Sequence, residues 1–142
     1  MTLIFLDASV IFSACYSARG HSRDLILMAL RGEYDLVSSR LVVEETRRNL
    51  AKTSEEYVLF LDFVLETTPI EFVRPTKRQV LAAKRHVALK DAPIIAAAKR
   101  AKVDLLVTLD KKHLLGKPEL AEYAGVDIVT PQEAVGYLRG TN

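Results

Sequence analysis

Leu3-Ile4-Phe5-Leu6-Asp7-Ala8-Ser9-Val10-Ile11-Phe12 sets four apolar residues in a row against an acid, followed by a segment of helical period. Four residues are too few for a helix and suit a short strand buried on both faces, as in a parallel sheet. Asp7 then falls at the carboxyl end of that strand, where the next helix starts. Leu105-Leu106-Val107-Thr108-Leu109-Asp110 repeats the pattern far along the chain. In open α/β sheets, ligands gather outside the carboxyl ends of the strands near the point where strand order switches. Two acids in equivalent places can therefore converge on one crevice.

Working outward, short apolar runs recur at Leu36–Val37, Ile70–Val73 and Val126–Val129, which makes five expected strands. Between them lie Ala8–Ala18, Ser22–Arg31, Leu41–Lys52, Glu55–Glu66, Thr76–His86, Ala92–Lys102 and Ala134–Leu138, each with apolar residues three or four apart. This alternation argues an α/β layer sandwich around a parallel sheet. Thr130-Pro131-Gln132-Glu133 carries a capping box with proline in the first turn, so the last helix is expected to begin there.

With 142 residues, 49% hydrophobic and 27% charged, the chain reads as one soluble domain, 1–142, with no Pro-, Gly- or Ser-rich linker. The longest uncharged stretch, Ala8–Ala18, is eleven residues, too short to span a bilayer, and no signal-peptide pattern opens the chain. The one cysteine, Cys15, forms no intrachain disulfide and reads as a small buried hydrophobe in a reducing, cytoplasmic compartment. No glycine-rich phosphate loop occurs. The net charge of +2 hides an asymmetry: Val73–Lys117 holds twelve Lys and Arg against three acids, +9, so the remainder carries −7. That hints at a polyanionic partner.

Asp91 opens the helix Ala92-Pro93-Ile94-Ile95-Ala96-Ala97-Ala98, and a fourth acid comes from Glu44 or Glu45, which point about 100° apart on one helix. Each aspartate also suits a helix cap. Brought together without a cation between them, three or four carboxylates repel, and a divalent ion relieves the repulsion. Oxygen ligands without Cys or His favour Mg2+ or Mn2+ over Zn2+. Such ions polarise phosphates and activate water, so the chemistry indicated is phosphodiester hydrolysis.

These residues resemble the PIN (PilT N-terminus) domain nucleases, which include the VapC-type toxins of toxin–antitoxin pairs. The first family motif is similar to Phe5-Leu6-Asp7-Ala8-Ser9-Val10. The second, a Ser with apolar residues two and four later and Glu six later, fits Ser39, Leu41, Val43 and Glu45 better than a reading from Ser38, which sets Arg40 at an apolar place and ends on Glu44. The third resembles Asp91-Ala92-Pro93-Ile94-Ile95-Ala96-Ala97-Ala98, and the fourth Val107-Thr108-Leu109-Asp110-Lys111-Lys112-His113. The resemblance implies a three-layer α/β/α sandwich with a mainly parallel five-stranded sheet. It also implies a Mg2+- or Mn2+-dependent endoribonuclease, with Asp7, Glu45, Asp91 and Asp110 as the catalytic, metal-holding acids and Ser9 and Thr108 in support. The expected partners are an RNA substrate, an antitoxin protein and a second copy in a homodimer.

The alternative from a different class is a catalytically inactive PIN-fold module that binds RNA or protein. A phospho-accepting receiver domain needs an acidic pair by the first strand and a Lys after the last; Asp7 stands alone and Val129 is followed by Thr130-Pro131-Gln132. The amphipathic segment Lys52–Thr68 carries more apolar positions than one stripe needs, and reads as core packing or as a dimer or antitoxin surface. His113, three residues after Asp110, reads as a surface histidine, with an approach to phosphate as the alternative. The five Tyr and five Phe form no stacking motif of the RRM type.

Overall fold

The computed structural model describes residues 1–140, so the last two positions of the domain expected over 1–142 lie outside the described residues. Strands β1 (Leu3–Leu6), β2 (Asp35–Ser38), β3 (Ile70–Phe72), β4 (Leu105–Val107) and β5 (Asp127–Val129) form one sheet in the order β3-β2-β1-β4-β5. Every neighbouring pair is parallel. In the centre, Phe5 lies opposite Val37 on one side and Leu106 on the other, and Ile4, Phe5 and Leu6 are fully buried. The opening quartet is apolar throughout because both of its faces are covered.

Helices α1 (Ala8–Tyr16), α2 (His21–Leu30), α3 (Arg40–Ala51) and α4 (Glu55–Thr67) pack on one another, and α8 (Pro131–Arg139) joins them through α2. Helices α5 (Lys77–Ala83), α6 (Ala92–Ala101) and α7 (Pro118–Ala124) form a second group, in which α6 contacts both of the others. With the sheet, the two groups make a three-layer α/β/α sandwich around a single hydrophobic core. Helix α6 buries Ile94, Ile95, Ala96, Ala97 and Ala98 in succession, which short alanine side chains allow. On α4, Val58, Leu61 and Val64 are buried while Leu59 and Phe63 stay exposed, so that segment has both a core face and a free apolar one.

The expected elements appear with shifts of a few residues at their ends, and the Thr130/Glu133 capping box is present. Two differences are physical. Helix α5 stops at Ala83 rather than His86: the Arg85 and His86 amides bond to carbonyls three residues back, which tightens the last turn. Helix α7 was not expected. It has only seven residues and two buried ones, Leu120 and Ala124, and its marks are Pro118 at its start and Gly125 (φ +70°) just past its end.

Strand order reverses between β1 and β4. The chain leaves these two adjacent strands at Asp7 and at Thr108, two residues before Asp110, so the crevice of an open α/β sheet lies beside both aspartates.

Candidate active site

Asp7 caps α1, as its position after β1 predicts: its Oδ1 accepts the Val10 amide at 3.2 Å. The same oxygen accepts the Ser9 hydroxyl at 2.6 Å, and Oδ2 accepts the Thr108 hydroxyl at 2.5 Å. Each hydroxyl gives its single proton to Asp7 and uses a lone pair for an amide: Leu109 donates to Ser9 Oγ and Asp110 to Thr108 Oγ1, both at 3.1 Å. Ser9 and Thr108 thus tie the end of β1 to the turn after β4. Burial pushes the Asp7 carboxyl up, and the bonds from Ser9, Thr108 and Val10 only partly pull it back.

Asp110 sits in that turn and closes it, its Oδ1 accepting the amides of Lys112 (3.1 Å) and His113 (2.9 Å). Its Oδ2 meets His113 Nδ1 at 3.2 Å. Partial burial works to raise this carboxyl, but the bonds from His113, its charge and the Lys112 amide outweigh it, so Asp110 is held below the usual carboxylate range.

Asp91 behaves differently from a cap. It occupies the N-cap position of α6, yet its backbone is helical and its side chain makes no cap hydrogen bond. Its Oδ2 is buried with no hydrogen-bond partner. Burial raises this carboxyl, Lys90 opposes the rise, Asp110 adds to it and His113 opposes it. Ligand atoms of Asp91, Asp110 and His113 lie within 4.8 Å of one another. A partnerless buried carboxylate oxygen beside a second carboxylate is what a divalent cation relieves, and the donor set fits one. His113 suits Asp110 as an orienting partner better than it suits a hard cation as a ligand.

All four expected acids, Asp7, Glu45, Asp91 and Asp110, line one open cleft of about 570 Å3, with Ser9 among them. Thr108 is fully buried behind Asp7. Glu45 projects from α3, which Ser39 caps through the Val42 amide at 3.2 Å, whereas Glu44 lines a neighbouring hollow with Arg40 and Phe72. Glu45 is not one of the three residues in the tight cluster. The cleft also has lining residues that the motifs left out: Phe12, Asn49, Lys52, Thr53 and Lys90. Helical spacing carries a signal for two of them, since Asn49 and Lys52 follow Glu45 by four and seven residues and share its face.

The PIN domain family profile matches residues 4–115. The chain belongs to the PIN domain family. PIN domains are generally nucleases that act on phosphodiesters with divalent metals. The matched span covers every acid of the cleft. No curated protein sequence matches this PIN domain. Among solved structures it is similar to PAE2754 from Pyrobaculum aerophilum, with TM-score 0.66, 18% identity and 98% of each chain covered. It is also similar to FitAcB from Neisseria gonorrhoeae, with TM-score 0.58 and 22% identity over 91% of this chain and 98% of that one. A third is FitAB bound to the IR36 DNA fragment, with TM-score 0.59 and 21% identity over 90% of this chain and 94% of that one. At these identities the likeness is one of fold.

Proposed function

We propose that this PIN domain is a Mg2+- or Mn2+-dependent endoribonuclease and the toxin of a toxin–antitoxin pair. The observation that carries the proposal is the buried, partnerless Asp91 Oδ2 clustered with Asp110 at the carboxyl edge of the sheet. Asp91 and Asp110 would hold the cation, with Asp7 and Glu45 completing the acidic wall of the cleft. When bound, the ion polarises a phosphoryl oxygen and lowers the pKa of water. Ser9 and Thr108 keep the Asp7 carboxylate in one orientation, and the two amide bonds to Asp110 Oδ1 leave its Oδ2 to His113 and the cleft. Lys52 and Lys90 at the rim supply positive charge for a polyanion.

RNA as substrate rests on the resemblance to VapC-type proteins. The protein partner, an antitoxin or a second copy in a homodimer, is supported by the exposed apolar side chains Tyr16, Leu59 and Phe63 on α1 and α4. Among the described residues no helix is long and apolar enough to cross a membrane. A cytoplasmic site of action rests on the buried free thiol of Cys15.

Incubation of the purified chain with total RNA and Mn2+, with mapping of new ends, tests the proposal. Wild type is expected to cut at discrete positions, and Asp7→Asn and Asp91→Asn to lose at least a hundredfold in rate while remaining folded. Cleavage retained by both variants removes the acids from the mechanism. Metal-independent RNA binding without cleavage identifies the chain as the inactive binding module instead.

A further inference from the structure

Among the described residues, none of the twelve Lys and Arg between Val73 and Lys117 takes part in an ion pair. Part of this charge surrounds a groove of about 510 Å3, formed where the turn after β4 meets the segment joining α5 to α6. His86, Lys112, His113 and Lys117 line it, with Glu119 as the acid among them. His113 is also the residue whose Nδ1 lies 3.2 Å from Asp110 Oδ2. One imidazole therefore borders both the acidic cluster and the basic groove. The exposed His86 ring is held in place by stacking on Tyr123, with centroids 3.8 Å apart and planes at 20°. Lys99 fixes Tyr123 from the same neighbourhood, its Nζ 4.7 Å from the ring centroid and 2.6 Å from the Tyr123 carbonyl oxygen.

A strand whose reacting phosphodiester lay at the acids would run past His113 into a groove with the chemistry its next nucleotide needs. Two unneutralised ammonium groups suit phosphate, and an exposed flat ring suits a base. An acidic peptide would use the lysines but leave the ring without a role. We infer that this groove holds the nucleotide adjacent to the scissile bond of single-stranded RNA, with Lys112 and Lys117 on its flanking phosphates and His86 stacked against its base. The inference rests on the nuclease reading above and names where its substrate runs.

The test is fluorescence anisotropy with a 5′-fluorescein-labelled single-stranded RNA 12-mer, in EDTA to prevent cleavage, over a salt series. Lys112→Ala with Lys117→Ala is expected to weaken binding about tenfold at low salt. It should also make the slope of log K against log salt shallower by about 1.4, at roughly 0.7 for each phosphate of a single strand that is no longer neutralised. His86→Ala is expected to weaken binding at least about fivefold with the slope unchanged, since stacking releases no counterions. Arg139→Ala, at the exposed end of α8, is the control for bulk charge. Lys112→Gln with Lys117→Gln repeats the measurement should the alanine pair melt early. A slope unchanged in both lysine pairs, or no RNA binding by wild type, overturns the groove assignment. Digestion of total RNA with Mn2+ is scored separately. Cleavage with an unchanged slope removes the groove alone, while the expected slopes without cleavage keep the groove and remove the nuclease.

Discussion

Asp7, Asp91 and Asp110 carry one side chain into three surroundings, and their proton affinities diverge accordingly. Burial raises Asp7 against its hydroxyl and amide bonds and raises Asp91, which has a partnerless oxygen, while hydrogen bonds in the turn hold Asp110 down. A carboxyl raised above its ordinary value of 3.8 weakens folding as pH climbs from 3.8 through the raised value, because the unfolded chain gives up that proton first. Asp110 works in the opposite sense: its contribution is present above 3.8 and is lost as pH falls through its lowered value. Asp91→Asn therefore removes a buried charge that Lys90 and His113 only partly compensate in the metal-free fold. At pH 7 in EDTA its Tm is expected to rise, because the amide stays neutral where the carboxylate must ionise. The gain should vanish below pH 4. Differential scanning fluorimetry across pH checks it, and a variant less stable than wild type at pH 7 contradicts it. Cys15 gives a second residue-level expectation, since burial pushes its thiol up to about 11. Native protein at pH 8 should resist iodoacetamide, and urea-unfolded protein should be alkylated at Cys15 within minutes, read by mass spectrometry.

Helix α6 places Asp91 and ends at Lys102, which adopts φ +54° and ψ +44° as its C-cap, the one positive-φ residue other than glycine among those described. A Cβ in that conformation is strained, and glycine is the usual solution. Lys102→Gly is expected to stabilise the fold by about 0.5–1 kcal/mol, seen as a Tm rise of about 2–3 °C with RNA cleavage unchanged; a lower Tm would show that Lys102 makes up for its strain elsewhere. The strands and most helices were legible in the residues because each is announced by local period, as in Leu3–Leu6 and Leu105–Val107. Helix α7 was not, since two turns with two buried residues leave almost no period to read. The acids at strand ends were legible for the same local reason. The choice of Glu45 over Glu44 rested on motif spacing, and the cleft that Glu45 lines is a tertiary fact. The unsatisfied Asp91 oxygen, the bond from His113 to Asp110 and the stack of His86 on Tyr123 join segments or orientations that no window of sequence specifies.

The cleft draws its acids from four separate places in the chain: the end of β1, the middle of α3, the start of α6 and the turn after β4. Folding alone brings them together, against their mutual repulsion, so a cation bound there binds the native state and not the unfolded chain. Such a ligand stabilises by RT ln(1 + [L]/Kd), or about 2.7 kcal/mol at a hundred times Kd. With an unfolding entropy of about 2.1 cal/mol/K per residue, that is a Tm rise of about 9 °C for a domain of this size. Mn2+ should produce this rise at pH 7, and EDTA should reverse it. Protons compete for the raised carboxyls of Asp7 and Asp91, so the rise should shrink as pH falls towards 4. Asp91→Asn should lose most of it. Lys112→Ala with Lys117→Ala should keep all of it, because those lysines face the groove and not the acids. A metal-induced shift equal in wild type and Asp91→Asn would place the cation elsewhere on the surface, and no shift at any Mn2+ concentration would leave the four carboxylates without the counter-charge that explains their gathering.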